Sequence, residues 1–137
     1  MTKNTQESLR LQKAVKAKHK QCFINAVRVV WNVREYHRAT YVEGIAVVDG
    51  MCIEHGWVEH DGEILDPTLP QEDMIYFAGL RFEGEPGIAE GIKRPKPKGA
   101  EDLPFFYRYG WGGKDSPEFC QAWQQALEFV NGVVAAG

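Results

Sequence analysis

Long apolar runs are missing from this 137-residue sequence. No stretch approaches the roughly 18 residues a membrane-spanning helix needs, so no membrane segment is expected. Cysteine is scarce: Cys22, Cys52 and Cys120 cannot all pair. No disulfide framework is implied, and a reducing, cytoplasmic setting is the default. The first twenty residues lack an apolar core and so do not read as a secretory signal. Cations are almost absent from residues 43–90, where twelve acids face Arg81 alone. Such a stretch repels phosphate-rich ligands and suits a neutral or cationic, peptide-like one. Basic residues gather elsewhere. Lys3, Arg10, Lys13, Lys16, Lys18 and Lys20 stand against Glu7 in residues 1–20, and Lys93, Arg94, Lys96 and Lys98 lie in 93–98. The basic start reads as a solvated helix face. With a formal net charge of −3 and no recognition motif, nucleic acid is not an expected partner.

What is present suits one domain spanning 1–137, with 44% hydrophobic residues. A chain of this size buries about two-thirds of the surface it exposes when unfolded, enough for a core without staples. Residues 1–20 carry a basic helix over 5–19, with Leu9, Ala14 and Val15 as a thin apolar stripe. Residues 22–34 form a more apolar helix, with Phe23, Ala26, Val27, Val30 and Trp31 at spacings of three and four. Three strands follow: Tyr41–Val48, Met51–His60 and Glu63–Asp66. Asp49-Gly50 and Asp61-Gly62 join them as two-residue turns, which predicts an antiparallel meander. Met74–Phe82 reads as a further strand with Gly79 as a kink or bulge. Residues 83–99, rich in Pro, Gly and basic residues, read as an extended loop. Phe105–Tyr109 reads as a strand and Trp111-Gly112-Gly113 as a turn. A last helix over 116–135 starts with Ser116 as its cap and Pro117 in its first position. It buries Phe119, Trp123, Ala126, Leu127, Val130 and Val134.

Chemistry concentrates in residues 22–68. Cys22 opens a helix, where the dipole and unpaired N–H groups favour the nucleophilic thiolate. The same N–H groups suit an oxyanion, with Gln21 and Asn25 as the nearest side-chain amides. The Asp61-Gly62 turn sets Trp57 opposite Asp66, so His55, Trp57 and Asp66 share one sheet face. Asp66 is then a diagonal neighbour of His55. The Asp49-Gly50 turn sets Gly44 opposite His55, leaving room for the imidazole. If the Cys22 helix packs on that face, thiol, imidazole and carboxylate meet as nucleophile, base and orienting acid.

His55-Gly56-Trp57-Val58-Glu59 followed by Asp66-Pro67-Thr68 resembles the core of the transglutaminase-like superfamily, within the papain-like group of cysteine enzymes. That resemblance implies an α+β fold: a papain-like core with N-terminal helices on an antiparallel sheet, plus a C-terminal helix. It implies Cys22 as nucleophile, His55 as base, Asp66 as orienting acid and Trp57 as a supporting aromatic. The implied activity is acyl transfer at an amide or peptide-like carbonyl, as a protease, amidase, deamidase or transglutaminase, with no cofactor. The chain departs from the pattern in having Phe23, not tryptophan, after the cysteine, and Lys20-Gln21, not glycines, before it. Two alternatives compete. One is an inactive binding module of the same fold, using the basic first helix, the proline-rich basic loop and the aromatics Phe105, Phe106, Tyr107, Tyr109 and Trp111. The other is a zinc site from Cys52, His55 and His60, against which strand alternation places His55 on the opposite face from the other two. Glu43 is expected on the face opposite His55 in a salt bridge, Glu59 paired with arginine or solvated, and His60 exposed. Cys52 and Cys120 are expected to be buried.

Overall fold

A computed structural model describes residues 1–136, with side chains described through Gly132. Among the described residues the architecture is α+β, with four helices and a five-stranded mixed sheet of order β1-β4-β3-β2-β5. The strands are β1 (Thr2–Lys3), β2 (Thr40–Val48), β3 (Met51–His60), β4 (Glu63–Leu65) and β5 (Met74–Glu83). The helices are α1 (Thr5–Ala14), α2 (Cys22–Asn32), α3 (Gly84–Lys93) and α4 (Pro117–Ala136). No helix of the described residues is long and apolar enough to cross a membrane.

The central meander follows from its turns. Asp49-Gly50 and Asp61-Gly62 all have positive φ, the two-residue geometry whose twist matches paired strands. Val48 therefore faces Met51, Gly44 faces His55, and His60 faces Glu63. β5 pairs antiparallel with the other edge of β2, with a bulge at Glu43/Gly44. The edge strand β1 breaks the antiparallel expectation: it runs parallel to β4, with Lys3 opposite Ile64.

Alternation gives the sheet two unlike faces. One carries Tyr41, Ile45, Val47, Val58, Leu65, Leu80 and Phe82. It buries them against Ala26, Val29 and Val30 of α2, Phe119, Ala122 and Ala126 of α4, and Phe105 and Phe106. The other carries a smaller cluster of Val42, Trp57 and Ile64, with Tyr76 and Ala78 packed on it.

Several elements differ from the sequence expectation. The first helix stops at Ala14, with Lys16 in the left-handed region, and buries Ser8 and Leu11, with Val15 at its end; Ala14 is exposed. Trp31 of α2 and Leu127 of α4 are exposed, since the α2 and α4 stripes are narrower than their apolar content. Val134 lies outside the residues whose side chains are described. Residues 84–93 of the expected loop are helical. Their glycines serve close packing: a Cβ on Gly87 would lie 2.8 Å from the Phe82 carbonyl carbon, and one on Gly91 2.9 Å from the Phe105 ring. Pro86 falls in the first turn, where no N–H is needed. Phe105–Arg108 is a 3-10 turn, not a strand. Its Phe105 and Phe106 N–H groups donate to the Glu43 carboxylate at 2.6 and 2.8 Å, leaving no ladder to join. Ser116 caps α4 as expected, accepting from the Phe119 N–H at 3.2 Å.

Candidate active site

Asp66 immediately follows β4, and the turn after it surrounds its carboxylate with donors. Oδ1 accepts the backbone N–H groups of Thr68 (3.1 Å) and Leu69 (3.0 Å). Oδ2 meets His55 Nε2 at 2.8 Å and accepts the Tyr76 hydroxyl at 2.7 Å. Ser8 Oγ of α1 accepts the Asp66 N–H at 2.9 Å. Asp66 is fully buried, and burial alone would raise its pKa. The His55, Leu69 and Tyr76 hydrogen bonds outweigh that and hold the carboxyl below its usual range. Tyr76 stays protonated, because burial and the adjacent anion push its pKa far up.

His55 is likewise buried. Burial favours the neutral ring, yet the Asp66 hydrogen bond and the neighbouring Cys22 reverse that and raise its pKa to about 9. With Nε2 on Asp66, Nδ1 is the nitrogen left for the thiol. Cys22 is half-buried at the start of α2 and is one of the neighbours that raise the pKa of the ring. No fully formed thiol–imidazole hydrogen bond joins them at rest. The α2 cap, Gln21, makes no side-chain hydrogen bond, so its amide does not occupy the first-turn N–H groups.

The start of α2 approaches His55 by a different route from the one the strand pattern suggests. α2 does not pack on the His55 face. It lies over the opposite face at Gly56, where an added Cβ would stand 3.1 Å from Phe23 Cα and 3.5 Å from the Cys22 carbonyl oxygen. A glycine there lets the start of the helix reach the backbone beside His55. The recorded β3–β4 ladder ends at Val58–Leu65, so no β4 partner flanks this part of β3. Gly44 faces His55 as expected, but the space it leaves is not filled by the imidazole. A Cβ there would collide with Phe77 O in the bulged β5 and stand 2.8 Å from the Trp57 ring.

Trp57 is fully buried, stacked 6.2 Å from His55 and edge-on to Tyr76 at 5.0 Å. Asn25 is structural: its amide bonds Lys18 N and O at 3.0 and 2.8 Å and Thr68 Oγ1 at 2.9 Å, tying α2 to the Asp66 turn. Gln21 is exposed and lines a cavity of about 600 Å³ with Phe23, Lys96 and Asp102. A second cavity of about 530 Å³ opens beside Glu54.

Other expectations are corrected. Glu43 lies on the face opposite His55, but it forms no salt bridge; it accepts Tyr41 Oη (2.6 Å) and the Phe105 and Phe106 N–H groups. Cys120 is exposed and Cys52 only half-buried. His60 is half-buried against the Tyr36 ring, not exposed. Glu59 pairs with Arg81 at 3.0 Å, as expected. The zinc alternative does not assemble: among the described residues no three His, Cys, Asp or Glu groups are placed to hold an ion.

Tyr76 and Lys3 were missed by the sequence reading. Lys3 Nζ donates to the Leu69 and Glu72 carbonyls at 2.7 and 2.6 Å, pinning the chain that follows Asp66. The only available signal was the even parity of Tyr76 on its strand, and no short turn fixes the register of that strand. Comparisons with family models, curated proteins and solved structures find no match for this chain.

Proposed function

We propose that this chain is a cysteine-dependent acyl-transfer enzyme of the transglutaminase-like, papain-like type, acting on an amide or peptide-like carbonyl. One observation carries the reading: a buried carboxylate, loaded with donors, holds His55 at 2.8 Å, while Cys22, at a helix start, is among the neighbours that raise the pKa of the same ring. Cys22 thiolate attacks the carbonyl carbon, and the oxygen takes the negative charge beside the first-turn N–H groups. Collapse of the intermediate breaks the carbon–nitrogen bond, and His55 gives its proton to the leaving amine. Water then attacks the thioester as His55 accepts its proton. A carboxylic acid leaves and the Cys22 thiol is restored. An amine in place of water would give transfer. No cofactor enters this sequence. The proposed substrate is neutral or cationic, because residues 43–90, which include the site's own strands, carry twelve acids against Arg81 alone. Free cysteines suit a reducing, cytoplasmic setting.

Labelling with iodoacetamide and electrophilic peptides, followed by mapping of the modified residue, tests the proposal. Cys22 is expected to react faster than a free thiol, with the rate falling at least about 10-fold in His55→Ala. A second reading, an inactive binding module, draws on the exposed ring of Trp111. It gains the ground if Cys22 reacts no faster than a simple thiol.

A further inference from the structure

A cavity of about 530 Å³ is lined by the residue next to one triad member and by an aromatic that packs on the neighbour of another. Glu54, next to His55, lies on its border. Phe106, also in its lining, packs edge-on at 5.9 Å against Phe23, the neighbour of Cys22. The remaining lining is mostly apolar or aromatic, including Pro97, Tyr107 and Trp111. Trp111 is 91% exposed. Gly110, Gly112 and Gly113 hold it in a turn with φ of 80°, 61° and 79°, a backbone only glycine adopts readily. Presenting an indole to water in this way gains nothing for the core; a ring so placed is suited to being covered by a ligand.

Glu54 makes no ion pair or hydrogen bond among the described residues, and partial burial raises its pKa. The cations of the facing connection are engaged elsewhere or form no pair with it. Lys96 pairs with Asp102 at 2.9 Å, Arg94 lies over the Tyr109 ring at 3.9 Å, and Arg108 bonds backbone carbonyls. Lys98 and Lys114 form no ion pair with Glu54. The cavity thus offers aromatic faces along its length and an unpaired carboxylate at its border. An aliphatic stem ending in a cation satisfies both, through ring contact, cation–π attraction and a charge-assisted hydrogen bond.

We infer that this cavity is the subsite for a lysine or arginine side chain of the peptide substrate, read by Glu54, Tyr107 and Trp111, an assignment that rests on the acyl-transfer reading of Cys22. The test uses full-length protein and three electrophilic peptides that differ at one residue: lysine, norleucine or glutamate. Each rate of Cys22 labelling is taken relative to iodoacetamide in the same variant. The lysine peptide is expected to label about 10-fold faster than the norleucine peptide, and the glutamate peptide slowest. Glu54→Gln should bring the lysine-to-norleucine ratio close to one, and Trp111→Ala should slow the lysine peptide. If iodoacetamide reacts fast in a His55-dependent manner but the peptides show no lysine preference, or keep it in Glu54→Gln, the subsite is wrong and the acyl-transfer reading stands. If Cys22 behaves as a simple thiol, that reading fails, and tryptophan fluorescence titration with a lysine peptide amide reads the cavity directly. A saturable change, absent with norleucine and lost in Glu54→Gln, supports the subsite; no change overturns it. Glu54 is solvent-exposed on its strand, so its glutamine variant tests the idea without a folding defect.

Discussion

Asp66 is the residue on which the proposed chemistry turns, because it is an anion that burial alone would neutralise. Four donors keep it charged, and its charge keeps His55 protonated up to about pH 9. The sign follows directly. The folded pKa of His55 lies above its ordinary 6.5, so its stabilising contribution is complete below that value and is lost as pH rises through about 9. Turnover, which needs that proton for the leaving amine, should fall on the same alkaline limb. In Asp66→Asn the limb should shift to lower pH and turnover should drop at least about 100-fold, because the wrong tautomer is then allowed. A rate profile against pH for both proteins checks this; an unmoved limb would remove Asp66 from the relay. In the proposed chemistry Tyr76, which donates to Asp66, is a positioning residue. Tyr76→Phe deletes one hydrogen bond worth about 1 kcal/mol, so kcat should fall roughly fivefold with KM unchanged.

At the scale of elements, the two Asp-Gly turns made β2, β3 and β4 legible in the sequence, and with them the pairing of Gly44 with His55 and the closeness of His55 to Asp66. Local turn chemistry carries register, and register carries the face of every side chain. The same rule could not say which face α2 covers, since that is decided by tertiary packing at Gly56. Nor could it place β5, which returns to β2 after a connection too long to set register. α3 was read as loop because its glycines look like breaks until the Phe82 and Phe105 rings they admit are known. Glu43 shows a further limit: a carboxylate that fastens the 105–106 turn to β2 has no sequence signature. Burial raises its pKa to about 7, only partly offset by Tyr41, the two N–H groups and Arg108. The folded state therefore binds this proton more tightly than the unfolded chain, and stability falls as pH rises from about 4.5 to 7. Glu43→Gln should destabilise the protein by about 1–3 kcal/mol at pH 5, because its amide faces donors. The gap from the native protein should narrow toward pH 8, where the native carboxyl is charged. Urea unfolding at both pH values measures it; a gap that widens would contradict the assigned proton.

Across the whole molecule, the candidate site has two walls of unlike origin. The triad wall comes from α2, β3 and the Asp66 turn, close in sequence and mostly legible. The other comes from residues 94–112, whose role in lining both cavities no local pattern announces. Arg108 holds that second wall together. Its side chain is 3% exposed and donates to the carbonyls of Ile92 (2.8 Å), Arg94 (2.6 Å) and Asp102 (2.9 Å). Its Nε, buried without a partner, shows that the carbonyls set its position at some cost to its own solvation. Lysine keeps the charge but cannot span three carbonyls from a planar fork. Arg108→Lys should therefore free the 94–102 connection while leaving the hydrogen bonds of Asp66 intact. Thermal stability should fall by a few degrees, and tryptic cleavage within 94–101 should accelerate several-fold. Iodoacetamide should still label Cys22 at close to the native rate, whereas the preference among electrophilic peptides should weaken, since only peptides use the second wall. Equal losses in both labelling reactions would mean that the two walls do not act separately, and that Arg108 supports the triad itself.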